Sequence, residues 1–459
     1  MTSTEVRQRG SALWTPDYRA VSIGMTLLVT LVAFENLGVN TAMPRMVAEL
    51  HGEALYSWPF TVFLVTSLIA NVLAGRLCDT RGPAFGLYTG VSLFLLGLVV
   101  AGTASSMWML LIGRALQGLG GGTESVAMYV MIAYVYPERS QPAVFGLLST
   151  AWVLPSLVGP AAAGLVTEQA SWRWVFLGLV PFSLAGAALL LPAVRRLPER
   201  APAGPGKRGL AVSAVVAAVG ISALAWAAEH PSVSSLVLGI AGLAVLAPSL
   251  LRLFPSGTLR ARRGLPVTIL ARGLLAGAYT AIEVYVTLNL TAVQGFTPLT
   301  AGLPLTFGAL AWSATAFIPA RNVDVSRWVF VRWGLGLLAV GSAAMVVVSS
   351  LPGWGWFTYV AWVIASAGMG FAYSSLSVLT IRFSEPNEQG ANAASLQVSE
   401  RVFSAVFVGV GGVLLALLAS PQHPTPAMVV LDLAMAGVAL LGVLLVRPGR
   451  VAVPGGTAT

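Results

Sequence analysis

Charge is what this chain has least of. Only 9% of its residues are Asp, Glu, Lys or Arg, while 56% are hydrophobic; ordinary soluble domains carry roughly 25% charge. So little polar surface does not suit a water-soluble fold. Cysteine is nearly absent as well. Cys78 stands alone, so no intrachain disulfide can form and thiol redox chemistry is not expected. The three histidines, His51, His230 and His423, fall in expected outer loops. No cluster of metal-ligand residues, nucleotide-binding loop or nucleophile constellation is evident. We therefore expect no metal, no cofactor, no nucleic-acid partner and no enzymatic activity. The first twenty residues are polar and lack a short apolar core ending in a small-residue cleavage site, so a cleavable signal is not expected either.

Long apolar runs are abundant. About twenty apolar residues suffice to cross a bilayer as a helix, and the sequence predicts fourteen such spans. They lie at 21–44, 57–76, 84–104, 107–136, 142–166, 172–194, 209–228, 232–251, 266–292, 298–320, 328–350, 355–381, 390–419 and 425–446. The expectation is thus an all-α polytopic membrane protein. Cytoplasmic loops collect Lys and Arg, which checks the count. Alternate loops carry Arg76 and Arg81, Arg139, a cluster from Arg195 to Arg208, Arg252 to Arg263, Arg321 and Arg327, Arg382, then Arg447 and Arg450. The opposite loops hold only Arg45 and Arg173. The pattern puts both termini in the cytoplasm, and the chain is expected in the inner (plasma) membrane with the lipid bilayer as its surroundings.

Two basic linkers, RRLPERAPAGPGKRG and RLFPSGTLRARRGLP, follow the sixth and eighth spans. They divide the chain into a six-helix bundle (1–195), a linker region with two additional helices (196–265) and a second six-helix bundle (266–459). The bundles read as repeats, because GLGGGTESVAMYV in the fourth span aligns with GMGFAYSSLSVLT in the twelfth. That alignment sets Ser374 against Glu124. Parallel six-helix repeats build a central site between two halves in one large transporter class.

Four stretches carry a more specific signal. GRLCDTRG supplies Gly75, Leu77, Asp79, Arg81 and Gly82 between the second and third spans. RALQGLGGG supplies Arg114, Gln117 and Gly118. LVGPAAAG supplies Gly159, Pro160 and Gly164, and ENLGVNTAMP surrounds Glu35. In this order and on these spans they resemble the loop, fourth-helix and fifth-helix motifs of the major facilitator superfamily. The last stretch, with SWRWVF at 171–176, resembles its 14-helix drug:proton antiporter branch, which exports multiple drugs and quaternary ammonium compounds. The resemblance covers essentially the whole chain. It implies two six-helix bundles plus two extra central helices, a gating role for the loop motif, an antiporter role for the fifth-helix motif, and Arg114 in proton coupling. Pro83 departs from the loop motif, which has Arg or Lys there, and Ala161 to Ala163 fill the spacing of the fifth-helix motif.

Ionisable groups within spans are costly, about 2.5–3.5 kcal/mol each on insertion scales. The sequence places Glu35, Arg114, Glu124, Arg272, Glu283, Glu400, Arg401 and Asp432 there. Glu35 lies about fourteen residues into the first span and Glu283 about seventeen into the ninth. As repeat equivalents they are expected on opposite walls of one cavity, with Asn36, Asn40 and Asn289 nearby. Gln117 and Glu124, seven residues apart, share one face of the fourth helix. Desolvation penalises a charged carboxyl, which suits groups that exchange protons, and the same carboxylates would attract a cation. Glu35, Glu124, Glu283 and Arg114 are the proton-coupling candidates, and Glu35 is the first choice. Tyr279, Trp312 and Tyr373 are candidate pocket walls. Arg272, Glu400, Arg401 and Asp432 form a candidate buried charge network, with Asp432 a possible partner of Arg401.

The expected function is a monomeric, proton-coupled secondary transporter exporting small amphipathic compounds, cationic or lipophilic, by alternating access. Export of one endogenous metabolite, lipid or peptide by the same machinery is the alternative. A nutrient importer and a non-transporting sensor fit the same spans less well.

Overall fold

The computed structural model describes residues 12–51, 55, 58–194, 209–229, 233–296, 298–385, 388–418 and 425–446. The first linker, from Arg195 to Arg208, lies outside these residues, as do His230, His423, Arg447 and Arg450. Sixteen α-helices and no strand are present among the described residues. They are α1 (Pro16–Glu49), α2 (Trp58–Arg81), α3 (Pro83–Gly102), α4 (Met107–Val135), α5 (Gln141–Thr150), α6 (Val153–Gln169), α7 (Trp174–Leu177) and α8 (Val180–Val194). After the first linker come α9 (Leu210–Glu229), α10 (Val233–Leu253), α11 (Leu265–Ala292), α12 (Pro298–Arg321), α13 (Arg327–Ser350), α14 (Phe357–Arg382), α15 (Gln389–Leu418) and α16 (Thr425–Leu445).

Eleven candidate spans among the described residues are long and apolar enough to cross a membrane, and two shorter apolar helices cover Val212–Leu224 and Val237–Leu253. The α4 helix is not among the eleven; its glycines, Arg114, Gln117 and Glu124 dilute its apolar content. The fifth and sixth predicted spans are each broken in two. Pro155 has no N–H to give the carbonyl of Ala151, and Pro181 none for Leu177. The helix therefore lapses at Ala151–Trp152 and again at Gly178–Leu179.

The packing repeats. In the first group of helices α3 lies on α4, α2 on α4, and α1 on both α6 and α8. In the last group α13 lies on α14, α12 on α14, and α11 on both α15 and α16. The two groups meet along two seams, α2 with α15 and α5 with α12. The inserted helices α9 and α10 pack together, and α9 rests on both α2 and α15.

Glycines fix the correspondence between the repeats. A Cβ on Gly90 would lie 2.6 Å from the Glu124 amide nitrogen, and one on Gly97 2.6 Å from that of Gln117. In the last group, a Cβ on Gly334 would lie 2.9 Å from the Ala372 amide nitrogen, and one on Gly341 2.6 Å from that of Ala365. Both pairs of contacts are seven residues apart. Glu124 therefore corresponds to Ala372, two residues from the Ser374 that the sequence alignment chose. Glycine-rich helices align by composition at several offsets, and only the seam contacts choose one.

One buried cluster joins both groups. It includes Met25, Val72, Val130, Val144, Val378, Ala394 and Val398, all toward the end of the bundle that carries the loop motif and the basic loops. This is called the basic end below. A second cluster, with Met43, Leu98 and Trp172, fills the far end of the first group.

Candidate functional site

At the basic end the carboxylate of Asp79, the last buried residue of α2, faces the amino terminus of α15. The Gly390 and Ala391 amides each donate a hydrogen bond to it, one to each oxygen, both at 2.8 Å. Helix amino termini leave such donors unused and carry partial positive charge, so the carboxylate clamps α2 to α15. The approach depends on glycine. A Cβ on Gly75 would lie 2.7 Å from the Gly390 carbonyl, and one on Gly390 2.7 Å from Asp79 Oδ1. Gly82, at φ +85°, turns the chain into α3. Pro83 opens that helix, and Arg81 stacks on Phe85 at 4.8 Å.

Further contacts close the same end. Arg272 in α11 donates through Nη2 to the Tyr129 hydroxyl of α4 at 3.1 Å, and through Nε to Glu400 at 3.0 Å. Its Nη1 reaches the Tyr373 carbonyl and Ser377 Oγ at 2.9 and 3.2 Å, and its guanidinium lies over the Tyr373 ring. Ser377 and Tyr129 also bond each other at 3.4 Å. They are equivalent residues in the glycine-fixed correspondence, so they meet where the two repeats face each other. Gln397 donates to Ser125 at 3.0 Å, and Arg382 pairs with Glu138.

Deeper in the first group, Glu35 is fully buried and ion-paired with Arg114. Arg114 also donates to Gln117 Oε1 at 2.9 Å and to the Pro59 carbonyl at 3.2 Å, and it stacks on Phe63 at 4.4 Å. Two of the proton-coupling candidates thus meet, and the Arg114 guanidinium answers the Glu35 charge. Gly159 and Gly164 of α6 face α1 nearby: a Cβ on Gly159 would lie 3.6 Å from Leu37, and one on Gly164 3.7 Å from Thr41.

The matching place in the last group is aromatic. Trp362 corresponds to Arg114, and it stacks on Tyr279 at 4.7 Å. Tyr279 also meets Trp312 edge-on at 5.5 Å and bonds Ser366 at 3.1 Å, and Trp312 meets Tyr373 at 5.3 Å. Tyr279, rather than Glu283, therefore occupies the level of Glu35. Glu283 sits four residues, about one turn, further along α11.

Glu124 and Glu283 have no hydrogen-bond or ion-pair partner among the described residues. Asn289 leaves the predicted cavity set. It is 2% exposed and donates to Ser349 at 2.7 Å, and Ser349 donates to Asp432 at 2.6 Å. Asp432 is thus satisfied inside the last group and is not the partner of Arg401. Asn36 donates to its own helix, to Val32 O at 2.8 Å. The side chains of Asn40 and Pro160 lie outside the described residues. Sequence reasoning missed Gly390, Tyr129, Ser349 and Gln397; only the small-residue run GANAAS hinted at the first.

The sequence matches the family profile described as Major Facilitator Superfamily over residues 25–408. The chain belongs to this superfamily. A probable multidrug-efflux transporter of Mycobacterium tuberculosis is 26% identical over 416 residues, covering 86% of this chain and 87% of that protein. An uncharacterized transporter of Schizosaccharomyces pombe is 32% identical over 176 residues, and this match spans 38% of the chain and only 30% of that relative's length. The crystal structure of a human organic anion transporter superposes with a TM-score of 0.70 at 15% identity, over 94% of this chain and 100% of that one. This last likeness shows the superfamily fold, with the motifs described above on its helices.

Proposed function

We propose that this transporter is a proton-coupled exporter of amphipathic compounds, cationic or lipophilic, in the manner of the 14-helix drug antiporters. In this reading the chain crosses the inner membrane fourteen times with both termini in the cytoplasm and works as a monomer. Its moving bodies are residues 1–195 and 266–459, with 196–265 inserted between them. The basic end is cytoplasmic, so the Asp79 clamp and the Arg272 cluster hold the cytoplasmic side shut. The cavity is then loaded or emptied from outside.

The observation that carries the reading is the pair of partnerless carboxyls, Glu124 and Glu283, deep in α4 and α11. An acid without a partner in a span is a functional group by default. It can exchange a proton for a cationic cargo without first breaking an ion pair. The Glu35–Arg114 pair, which joins α1 to the helix that carries Glu124, is the part of the coupling set whose exchange requires a rearrangement. Tyr279, Trp312 and Tyr373 give the cargo its apolar wall. A probable multidrug-efflux relative matching most of the chain supports export over uptake.

The test is transport in proteoliposomes with an imposed pH gradient and a panel of lipophilic cations and neutral compounds. The parent should move cations against their gradient only when the proton gradient opposes them. Glu124→Gln and Glu283→Gln should each abolish gradient-driven export while folding normally. Unchanged export by both variants refutes the proton-carrier assignment.

A further inference from the structure

Four of the eight in-span charges are accounted for by two ion pairs, Glu35 with Arg114 and Arg272 with Glu400. Asp432 bonds Ser349. What remains is two acids, Glu124 and Glu283, and one base, Arg401. Arg401 lies midway along α15, is half-buried, and has a buried Nε without a hydrogen-bond partner. No carboxylate among the described residues reaches it.

Its direction follows from its neighbours on the helix. Gln397, one turn before it, donates to Ser125 of α4. Ser404, three residues after it, donates to Thr280 of α11 at 3.4 Å. Residues at these spacings share a face, so Arg401 is presented between α4 and α11. Glu283 lies three residues beyond Thr280 and so shares its face of α11. The lone base and Glu283 therefore border the same space between the groups of helices, whereas Glu124 lies against Gly90 of α3.

An arginine is charged at any working pH and offers five donors in a fork suited to an oxyanion. Leaving one unanswered in a membrane interior is costly, unless a visiting group answers it.

We propose that Arg401 is the anion-binding residue of the cargo site, taking a carboxylate or similar oxyanion of an amphipathic zwitterion. The cationic end of that zwitterion meets Glu283. The proposal rests on the export reading and narrows its substrate class, from cations to compounds that carry both signs.

A matched dye pair tests it. Rhodamine B carries a xanthylium cation and a free carboxylate; its ethyl ester keeps the cation and loses the anion. Binding of each to the purified full chain in nanodiscs is measured by fluorescence polarisation. The parent should bind the acid about tenfold more tightly than the ester, as expected for one desolvated charge-assisted contact. Arg401→Gln should remove that preference and leave the ester unchanged, whereas Arg401→Lys should keep part of it. The proposal is overturned if the parent fails to bind the acid or binds both dyes equally. It is also overturned if Arg401→Gln weakens both dyes alike, which is the result of a purely structural role. Gradient-driven movement in proteoliposomes separates the two readings. Preference at Arg401 without pH-driven movement of either dye would sink the export reading alone. PH-driven movement of both dyes at equal affinity would sink the anion site alone.

Discussion

The same position in the two repeats is built from opposite chemistry. In the first group the fourth helix offers Arg114 and the first helix answers with Glu35; in the last group Trp362 meets Tyr279 in a stack. Both contacts tie equivalent helices together at equivalent depth, yet they respond differently to damage. A stack that loses a hydroxyl remains a stack. An ion pair that loses one member leaves a bare charge where water is scarce. The repeated frame thus keeps a charge-dependent joint on one side and an apolar joint on the other.

The largest effect should come from breaking that joint. Glu35→Gln strands Arg114 and should cost about 3–5 kcal/mol, read as a drop in thermal unfolding midpoint of the purified chain. Tyr279→Phe removes only the bond to Ser366 and should cost about 1 kcal/mol. Equal losses would abolish the contrast. The double variant Glu35→Gln/Arg114→Leu should regain much of the stability, because neither charge is then left alone.

The seams sharpen the comparison next. Asp79→Asn removes the charge and leaves one acceptor oxygen for two amide donors, and should weaken the closed basic end by about 1.5–3 kcal/mol. In a Cys78→Ser background, a cysteine at Ala394, which packs on Gly75, should become more reactive toward a maleimide. Gly390→Ala should do the same, since its methyl would collide with the Gly75 carbonyl. At the α5–α12 seam a Cβ on Gly146 would still clear the Ala316 carbonyl by 3.4 Å, so Gly146→Ala should change labelling little. Matching responses at the two seams would mean that glycine contact does not set the closure.

Tyr129→Phe is a smaller step. It removes the hydroxyl shared by Arg272 and Ser377, for about 1 kcal/mol, and should raise the same cysteine labelling less than Asp79→Asn does. Outside the membrane, Arg173 holds the Glu49 carboxyl below its usual value of 4.5, and Trp172 adds a hydrogen bond. A lowered folded-state value gives stability that is present above pH about 4.5 and is lost as the pH falls through the folded value. The pair is exposed, so the effect should stay under about 1 kcal/mol. The difference in unfolding midpoint between the parent and Arg173→Gln should shrink between pH 6 and pH 3.

The helices and the superfamily were legible because composition and span length report on the solvent, and because the motifs fall on particular spans. The resemblance gives the loop motif around Asp79 a gating role, and the structure supplies the helix end that this carboxylate holds. Which helix it was could not be read, since backbone amides leave no mark in a sequence. Glu35 and Glu283 look equivalent when each is counted from an uncertain span start. An error of one turn separates them, and glycine contacts on other helices were needed to find it. Asp432 and Arg401 looked like partners because both are charged and late in the chain. Ser349, an ordinary residue in sequence, satisfies the acid and leaves the base alone. The breaks before Pro155 and Pro181 were open to sequence reading, yet the apolar runs continue through both.

The pair α9 and α10 gives the protein a front and a back. Two repeated halves alone would show the bilayer two similar flanks, each with a groove where the halves adjoin. Here α9 straddles one groove, touching α2 and α15, and no described helix lies across the other. Lipid chains therefore border one groove directly and meet the inserted hairpin at the other. A protein whose two groups of helices pack alike becomes lateralised, with a left and a right to the surrounding lipid.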